Sequence, residues 1–152
     1  MQRDIDFMGL CLKLAEEAAR RGEVPVGAVV VVEGQVVGSG YNLRETTGDP
    51  TAHAEIVALR EAARTVGHWR VLDSTMYVTL EPCTMCAGAL VNARISRLVY
   101  GCADPKAGAV ESLYAIPTDV RLNHRLEITG GLCAEACAEQ LRLFFRLRRG
   151  RP

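Results

Sequence analysis

Two short segments of the chain carry residues whose types and spacing fit a metal-dependent active site. His53 stands two residues before Glu55, and Cys83 and Cys86 stand three apart directly after Pro82. Two cysteines at this spacing at the start of a helix can bind one metal ion, and a histidine from an earlier helix can supply a third ligand. Three protein ligands leave the fourth position of a tetrahedral zinc ion open, as in catalytic rather than structural sites. We therefore predict a catalytic zinc ion bound by His53, Cys83 and Cys86.

Glu55 is not one of the predicted metal ligands and is free to transfer protons. Zinc lowers the pKa of a bound water molecule to about 7 in favourable sites, which produces a nucleophile near neutral pH. That nucleophile can attack an amidine-like carbon, such as C4 of cytosine or C6 of adenine, while Glu55 passes protons to the ring nitrogen and the departing amine. The paired pattern H-x-E and P-C-x-x-C matches the known signature of zinc-dependent nucleobase deaminases.

Each half of this pattern is ambiguous when taken alone. A lone C-x-x-C is often a structural zinc site or a redox pair, and only the combination with H-x-E favours catalysis. A zinc-stabilised binding module without turnover would need a fourth protein ligand, and none stands near the motif. Cys133 and Cys137 could in principle bind metal with His124, but they lack a second clear pair of ligands. We interpret the four remaining cysteines, which are Cys11, Cys102, Cys133 and Cys137, as buried packing residues.

Length and composition predict one globular domain over residues 1–152. Hydrophobic residues make up 49% of the chain and charged residues 24%, which is typical of a folded protein. No apolar run reaches the roughly 18 residues of a membrane helix, and no signal-peptide core follows the N-terminus. We therefore expect a cytoplasmic protein with reduced cysteines.

The formal net charge is +0, but the C-terminus is basic. After Glu139 the chain has no acidic residue and carries five arginines, which are Arg142, Arg146, Arg148, Arg149 and Arg151. These cations could meet nucleic-acid phosphates, or they could form the solvated end of a helix.

Hydrophobic periodicity and turn residues predict the elements that must position these residues. We predict helices from 4 to 21, from 51 or 52 to 65, from 83 to 93 and from 134 to 149, and strands over 24–32, 35–42, 75–80, 97–101 and 126–129. Residues 44–51 are predicted as loop, and a short helical piece is expected near 110–115. This order indicates an α/β fold, a three-layer α/β/α sandwich with a central mixed five-stranded sheet.

The chain resembles the bacterial tRNA-specific adenosine deaminases, a family of the cytidine-deaminase-like superfamily, over nearly its whole length. The likeness is carried by E-V-P-V-G-A-V at 23–29, G-Y-N at 40–42, D-P-T-A-H-A-E-I at 49–56, Y-V-T-L-E-P-C at 77–83 and N-H-R at 123–125. The metal motif is common to the superfamily, whereas these flanking stretches resemble the tRNA enzymes. The segments 104–108 and 114–121 are less similar, and Tyr41 stands where the family often has tryptophan.

The resemblance implies hydrolysis of the wobble adenosine of a tRNA anticodon to inosine by a homodimer with one zinc ion per subunit. It implies Glu55 as the proton shuttle and RNA bound across parts of both subunits. It also implies substrate contacts at matching positions, which are Val26, Asn42, the Ala54 backbone, Asp104, Lys106, Asn123, Phe145 and Arg149.

The alternative is a deaminase of free bases or nucleosides, of the guanine or cytosine type. Such an enzyme would share the fold and the zinc chemistry but would not need a basic RNA-binding helix. A chain truncated near Glu139 and tested on tRNA and on free bases would separate the two.

Overall fold

The computed structural model describes residues 1–149 of the chain, so Arg151 of the basic C-terminus lies outside the described residues. The described part contains helices α1 (Gln2–Arg20), α2 (Arg44–Thr47), α3 (Ala54–Val66), α4 (Thr84–Asn92) and α5 (Ala134–Arg149). Its strands are β1 (Gly27–Val32), β2 (Gln35–Tyr41), β3 (Ser74–Leu80), β4 (Arg97–Cys102) and β5 (Glu127–Gly130), and a 3-10 turn covers Ile116–Thr118. Within these residues, no helix is long and apolar enough to cross a membrane.

The five strands form one mixed sheet in the order β2-β1-β3-β4-β5. Strand β1 pairs antiparallel with β2 and β3, whereas β3, β4 and β5 run parallel to one another. The parallel part follows from the strand–helix units of the second half of the chain, since parallel neighbours need a crossover connection. The mixed five-stranded sheet predicted from the sequence is confirmed.

Side chains on the two faces of the sheet belong to two separate apolar clusters. Along β1, Ala28 and Val30 face a cluster shared with α3 and α4, whereas Val29 and Val31 face one shared with α1 and α5. Successive side chains of a strand alternate between faces, so an unbroken apolar strand is the sequence pattern of a sheet covered on both sides. The three-layer α/β/α sandwich is confirmed.

Two glycines allow helices to approach the sheet closely. A Cβ atom on Gly27 would lie 2.1 Å from the Cys11 carbonyl oxygen of α1, and one on Gly38 would lie 2.3 Å from the Ala58 carbonyl oxygen of α3. Both neighbours are backbone atoms and could not move aside cheaply. Gly38 therefore sets the distance between α3 and the sheet, and α3 begins at the residues predicted to bind metal.

Two local predictions were wrong. Residues 44–47 form the short helix α2 instead of loop, because contacts from elsewhere in the chain hold their backbone, as described below. Residues 110–115 are irregular, and the helical piece lies at Ile116–Thr118, where Pro117 supplies a fixed φ angle near the start of the turn.

The four cysteines outside the motif pack in the apolar layer under α1 and α5, as predicted. Cys11, Cys102 and Cys137 are buried, and Cys133 is half-buried against the same cluster. Burial raises the pKa of each of the three buried thiols, to about 12 for Cys137, which keeps them in the unreactive thiol form.

Candidate active site

The predicted metal ligands lie where two helices begin at one edge of the sheet. His53 is the N-cap of α3 and Cys83 is the N-cap of α4, which follows directly from the carboxyl end of β3. Both N-cap residues have extended backbone, so each stands one position before its helix; His53 was predicted inside the first turn. Ligand sites in α/β sheets commonly lie at this edge, beyond the carboxyl ends of the strands.

The three ligand atoms have the spacing of a tetrahedral zinc site. The Nδ1 atom of His53 lies 3.6 Å from Cys83 Sγ and 3.5 Å from Cys86 Sγ. Zinc with ordinary Zn–N and Zn–S bond lengths would hold such a nitrogen and sulfur about 3.6 Å apart. Among residues 1–149, no other three side chains of metal-binding type come within 4.8 Å of one another, which leaves His124, Cys133 and Cys137 without a metal site. The residues present therefore fit zinc.

The two sulfurs of the group affect each other's ionisation. The hydrogen bond from Cys86, with a further one from His53, lowers the pKa of Cys83 to about 3. The hydrogen bond that Cys86 donates to Cys83, together with burial, raises the pKa of Cys86 far above its usual range. A bound dipositive ion favours the ionised form of a coordinating thiol, so both sulfurs could bind zinc as thiolates.

Glu55 stands beside the group without belonging to it. It lies in the first turn of α3, its side chain is buried, and burial raises its pKa to about 7. A carboxyl group with a pKa near the working pH can accept and return a proton. A cation bound by His53, Cys83 and Cys86 would favour its ionised form. Its position therefore suits proton transfer.

A cavity of about 770 Å³ opens over these residues, which is enough space for a nucleoside. Six of the eight predicted substrate-binding residues line it, namely Val26, Asn42, Ala54, Asp104, Lys106 and Phe145. The wall also includes His53, Glu55 and Cys83, so the predicted chemistry and the predicted binding residues face one space. Val26 and Leu80 give the wall apolar surface that can contact the flat face of a base.

Asn42 is held rigidly at the cavity wall. Its side chain is 5% exposed, its Nδ2 donates to the Val24 carbonyl oxygen at 3.3 Å, and its Oδ1 accepts from the Arg44 backbone N–H at 3.2 Å. A carboxamide has a second N–H and a second lone pair. Asn42 can therefore offer one donor and one acceptor to a base without losing its own orientation.

Two cations at the cavity have no carboxylate partner within 4.0 Å in the part of the chain that the structure describes. These are Arg44 on α2 and Lys106 on the loop after β4. Arg142, on the α5 side, is instead paired with Glu135 and Glu139. The unpaired positive charge at the cavity is therefore on α2 and on the loop after β4 rather than on this part of α5.

Two further carboxylates are buried beside the cavity. Glu23 is 0% exposed and Glu81 is 2% exposed. Burial opposes their ionisation, but hydrogen bonds from Thr46 and Glu45 outweigh it and lower the pKa of Glu23. Hydrogen bonds from Ser112 and three backbone N–H groups lower the pKa of Glu81 to about 2 in the same way. Both groups are ionised at neutral pH.

Comparison with known proteins identifies the family. A family profile described as the cytidine and deoxycytidylate deaminase zinc-binding region matches residues 1–102. A tRNA-specific adenosine deaminase from Haemophilus influenzae is 50% identical over 147 residues, which cover 96% of this chain and 85% of the relative. This chain belongs to the tRNA-specific adenosine deaminase family. The family predicted from the sequence and zinc as its cofactor are confirmed.

Solved structures agree with this assignment. A structure from work on A-to-I editing by tRNA deaminases at the wobble position of transfer RNA has a TM-score of 0.86 and 45% identity, and the match covers 90% of this chain and 99% of that chain. A guanine deaminase from Bacillus subtilis has a TM-score of 0.62 and 37% identity, and covers only 64% of this chain and 63% of its own. The first of these two matches is both closer and more complete than the second.

Asn123 and Arg149 do not line the cavity. Asn123 is exposed in the segment before β5, and Arg149 is exposed at the end of α5, where its Nε donates to the Phe145 carbonyl oxygen at 3.4 Å. An anticodon loop is larger than the cavity, so their predicted RNA contacts stay predictions. The sequence alone indicated no role for Arg44 or Leu141, which line the cavity, and it placed Arg142, a third lining residue, only among the basic C-terminal arginines. No motif marks these three residues, and only the folded arrangement brings them to the wall.

Proposed function

We propose that this chain hydrolyses the wobble adenosine of a tRNA anticodon to inosine and releases ammonia, acting as a single zinc-dependent deaminase domain. The observation that carries the proposal is the group of His53, Cys83 and Cys86, with nitrogen–sulfur distances of 3.5 and 3.6 Å, beside buried Glu55 in a nucleoside-sized cavity. Relatives from Haemophilus influenzae and Bacillus subtilis, which are 50% and 42% identical to this chain, are tRNA-specific adenosine deaminases.

The chain's own residues divide the work between binding and proton transfer. His53, Cys83 and Cys86 would hold the zinc ion, which supplies a Lewis acid that lowers the pKa of a water molecule to about 7. Glu55 would accept the proton of the attacking water and donate a proton to the adjacent ring nitrogen of adenine. After the water oxygen has bonded to C6, Glu55 would pass the remaining proton of that hydroxyl to the amino group, so that the C6–N bond breaks, the carbonyl of inosine forms and ammonia leaves.

The cavity suits a base that has left its stack. The nucleotides of an anticodon loop are single-stranded, so one base can be turned outward at low cost. Asn42 would then hydrogen-bond the edge of the base, Val26 would contact its face, and the backbone at the start of α3 around Ala54 would offer an N–H group to an acceptor. Asp104, Lys106, Asn123, Phe145 and Arg149 would contact the rest of the loop.

The substrate class is tested by comparing four substrates with zinc-loaded protein. These are an anticodon stem-loop with a wobble adenosine, free guanine, free cytosine and their nucleosides. We expect inosine in the stem-loop, and conversion of the small substrates at least ~100-fold slower, because remote RNA contacts contribute to transition-state binding. We also expect KM for the stem-loop to rise steeply with salt, because phosphate contacts release counterions. Faster turnover of a free base would instead support the guanine- or cytosine-type alternative.

We further propose a homodimer located in the cytoplasm. Support comes from large apolar side chains that the single chain leaves exposed next to the cavity loop, where Leu113, Tyr114 and Val120 are 54%, 58% and 80% exposed. All six cysteines are free thiols, as in a reducing compartment. Light scattering on purified protein should give twice the chain mass of 16.5 kDa. A mass of one chain at micromolar concentration would contradict the dimer.

A further inference from the structure

Glu81 joins the end of β3 to the loop that forms one wall of the cavity. Its carboxylate accepts hydrogen bonds from the backbone N–H of Asp104 at 3.0 Å, Val110 at 3.1 Å, Glu111 at 2.8 Å and Ser112 at 2.9 Å, and from the Ser112 hydroxyl. Five donors on a single buried carboxylate hold both ends of residues 104–112 next to the end of β3. We call this segment the 104–112 loop.

Gly108 shows that the fit is tight. A Cβ atom at this position would lie 2.3 to 2.5 Å from the Glu81 carboxylate atoms. The next residue, Ala109, donates its N–H to the Pro82 carbonyl oxygen at 2.8 Å. The loop thus wraps around Glu81. Glu81 and Pro82 lead directly into the predicted metal ligand Cys83.

Glu23 repeats the arrangement at another wall of the cavity. Its two carboxylate oxygens accept from the backbone N–H of Glu45 at 3.0 Å and of Thr46 at 2.6 Å. These contacts fix the α2 segment, residues 44–47, which follows Asn42 and carries Arg44. No basic side chain forms an ion pair with Glu23 or Glu81 within 4.0 Å in residues 1–149. Backbone amides therefore stabilise both charges.

The two anchored segments carry the two unpaired cations of the site. Arg44 belongs to the α2 segment and Lys106 to the 104–112 loop, and both line the cavity. Neither segment has regular structure long enough to hold its own shape, since α2 has four residues and the 104–112 loop has no helix or strand. Hydrogen bonds to the buried carboxylates therefore contribute to holding both segments in place.

We propose that Glu23 and Glu81 are positioning residues that pre-form the RNA-binding wall of the cavity, each by holding one loop through its backbone amides. The proposal rests on the function proposed above. Each carboxylate fixes in advance a loop that would otherwise lose conformational freedom when RNA binds, which lowers the entropic cost of binding. They act on substrate binding and leave proton transfer to Glu55.

The test uses Glu81→Gln and Glu23→Gln, which keep side-chain size but replace one acceptor oxygen with a donor. The matched control is Ser74→Ala, which removes a buried hydrogen bond to the Val71 carbonyl oxygen at the opposite end of the same β3 strand. Ser112→Ala is a milder variant that removes only one of the five donors to Glu81. Zinc content, kcat, KM for the anticodon stem-loop and backbone amide exchange are measured for each.

We expect KM to rise about 10-fold or more in both glutamine variants, with kcat within about 3-fold of wild type and zinc content unchanged. The reason is that displaced loops weaken RNA binding but leave the proton-transfer groups in place. Ser112→Ala should raise KM less, and Ser74→Ala should leave it unchanged. Amide protection should fall at 45–46 in Glu23→Gln and at 104 and 110–112 in Glu81→Gln.

Any one of three results would overturn the proposal. The first is loosened loops with an unchanged KM, and the second is a loss of zinc or of kcat at constant KM, which would make the carboxylates part of the metal site. The third is unchanged amide exchange in the glutamine variants, which would reject the anchoring role without any activity measurement. Inactive wild-type protein would count against the proposed function instead.

Discussion

Replacing Glu55 with glutamine is expected to lower kcat by about 10³-fold while the protein still binds zinc. General acid–base catalysis contributes roughly 10²- to 10⁴-fold, and Glu55 is the buried carboxyl group of the cavity that is free of both metal binding and loop anchoring. Glutamine has nearly the same volume and can keep a hydrogen bond, but it cannot carry a proton between water, ring nitrogen and amine. Inosine formation under single-turnover conditions measures the chemical step directly.

The matched control for this variant is Glu61→Gln on the exposed side of the same helix, α3. It makes the same chemical change away from the cavity and should leave kcat unchanged. Zinc content and thermal unfolding should match wild type in both variants. A Glu55→Gln enzyme with more than about a tenth of wild-type kcat would contradict the assignment of Glu55 as the proton shuttle, since a tenfold loss lies below the usual range for such a group.

The second large effect is expected on removing a metal ligand. Cys86→Ala should abolish stoichiometric zinc binding and reduce deamination to background, because two ligands cannot hold the ion against a chelator. Zinc that binds only the folded protein also stabilises it, so losing zinc lowers the free energy of unfolding. The loss is about 2.7 kcal/mol for an ion present at a hundred times its Kd. Metal analysis after dialysis, together with urea unfolding, measures both effects.

Cys137→Ala provides the control, because it removes another buried thiol that packs under α5 and lies outside the ligand group. Both variants lose the packing of one sulfur atom, so any difference between them reports the metal. Cys137→Ala should keep one zinc ion per chain and near-normal kcat. Full zinc occupancy in Cys86→Ala, or activity of wild-type protein after complete chelation, would contradict the metal assignment.

The layers of the fold were predictable from sequence because their signals are local. The continuous apolar run of β1 indicates burial on both faces, and the spacing of apolar residues in α5 predicts 134–149, which is the range observed. The ligand group was predictable for a related reason. Helix starts place Cys83 and Cys86 on one side, and the strand–helix order brings His53 to the same sheet edge.

The walls of the cavity were less predictable because long-range contacts build them. Helix α2 has too few residues for a periodic signal, and its backbone is held by Glu23, which lies 22 and 23 residues away from its partners. Arg142 and Leu141 reach the cavity only because α5 packs against β3 and β4. From sequence, Glu23 and Glu81 are two ordinary acidic residues, and only burial with backbone donors reveals their role.

Deamination of the wobble adenosine is tested most sharply by locating the modified base in a reacted anticodon stem-loop that contains several adenosines. Zinc-loaded wild-type protein should convert the wobble adenosine to inosine, leave the other adenosines unchanged, and show no conversion in the Glu55→Gln variant. Conversion of the stem-loop requires the metal, the proton shuttle and the loop-binding wall together, so one experiment tests all three. Unmodified RNA after incubation with folded, zinc-loaded wild-type protein, or equal conversion at every adenosine, would contradict it.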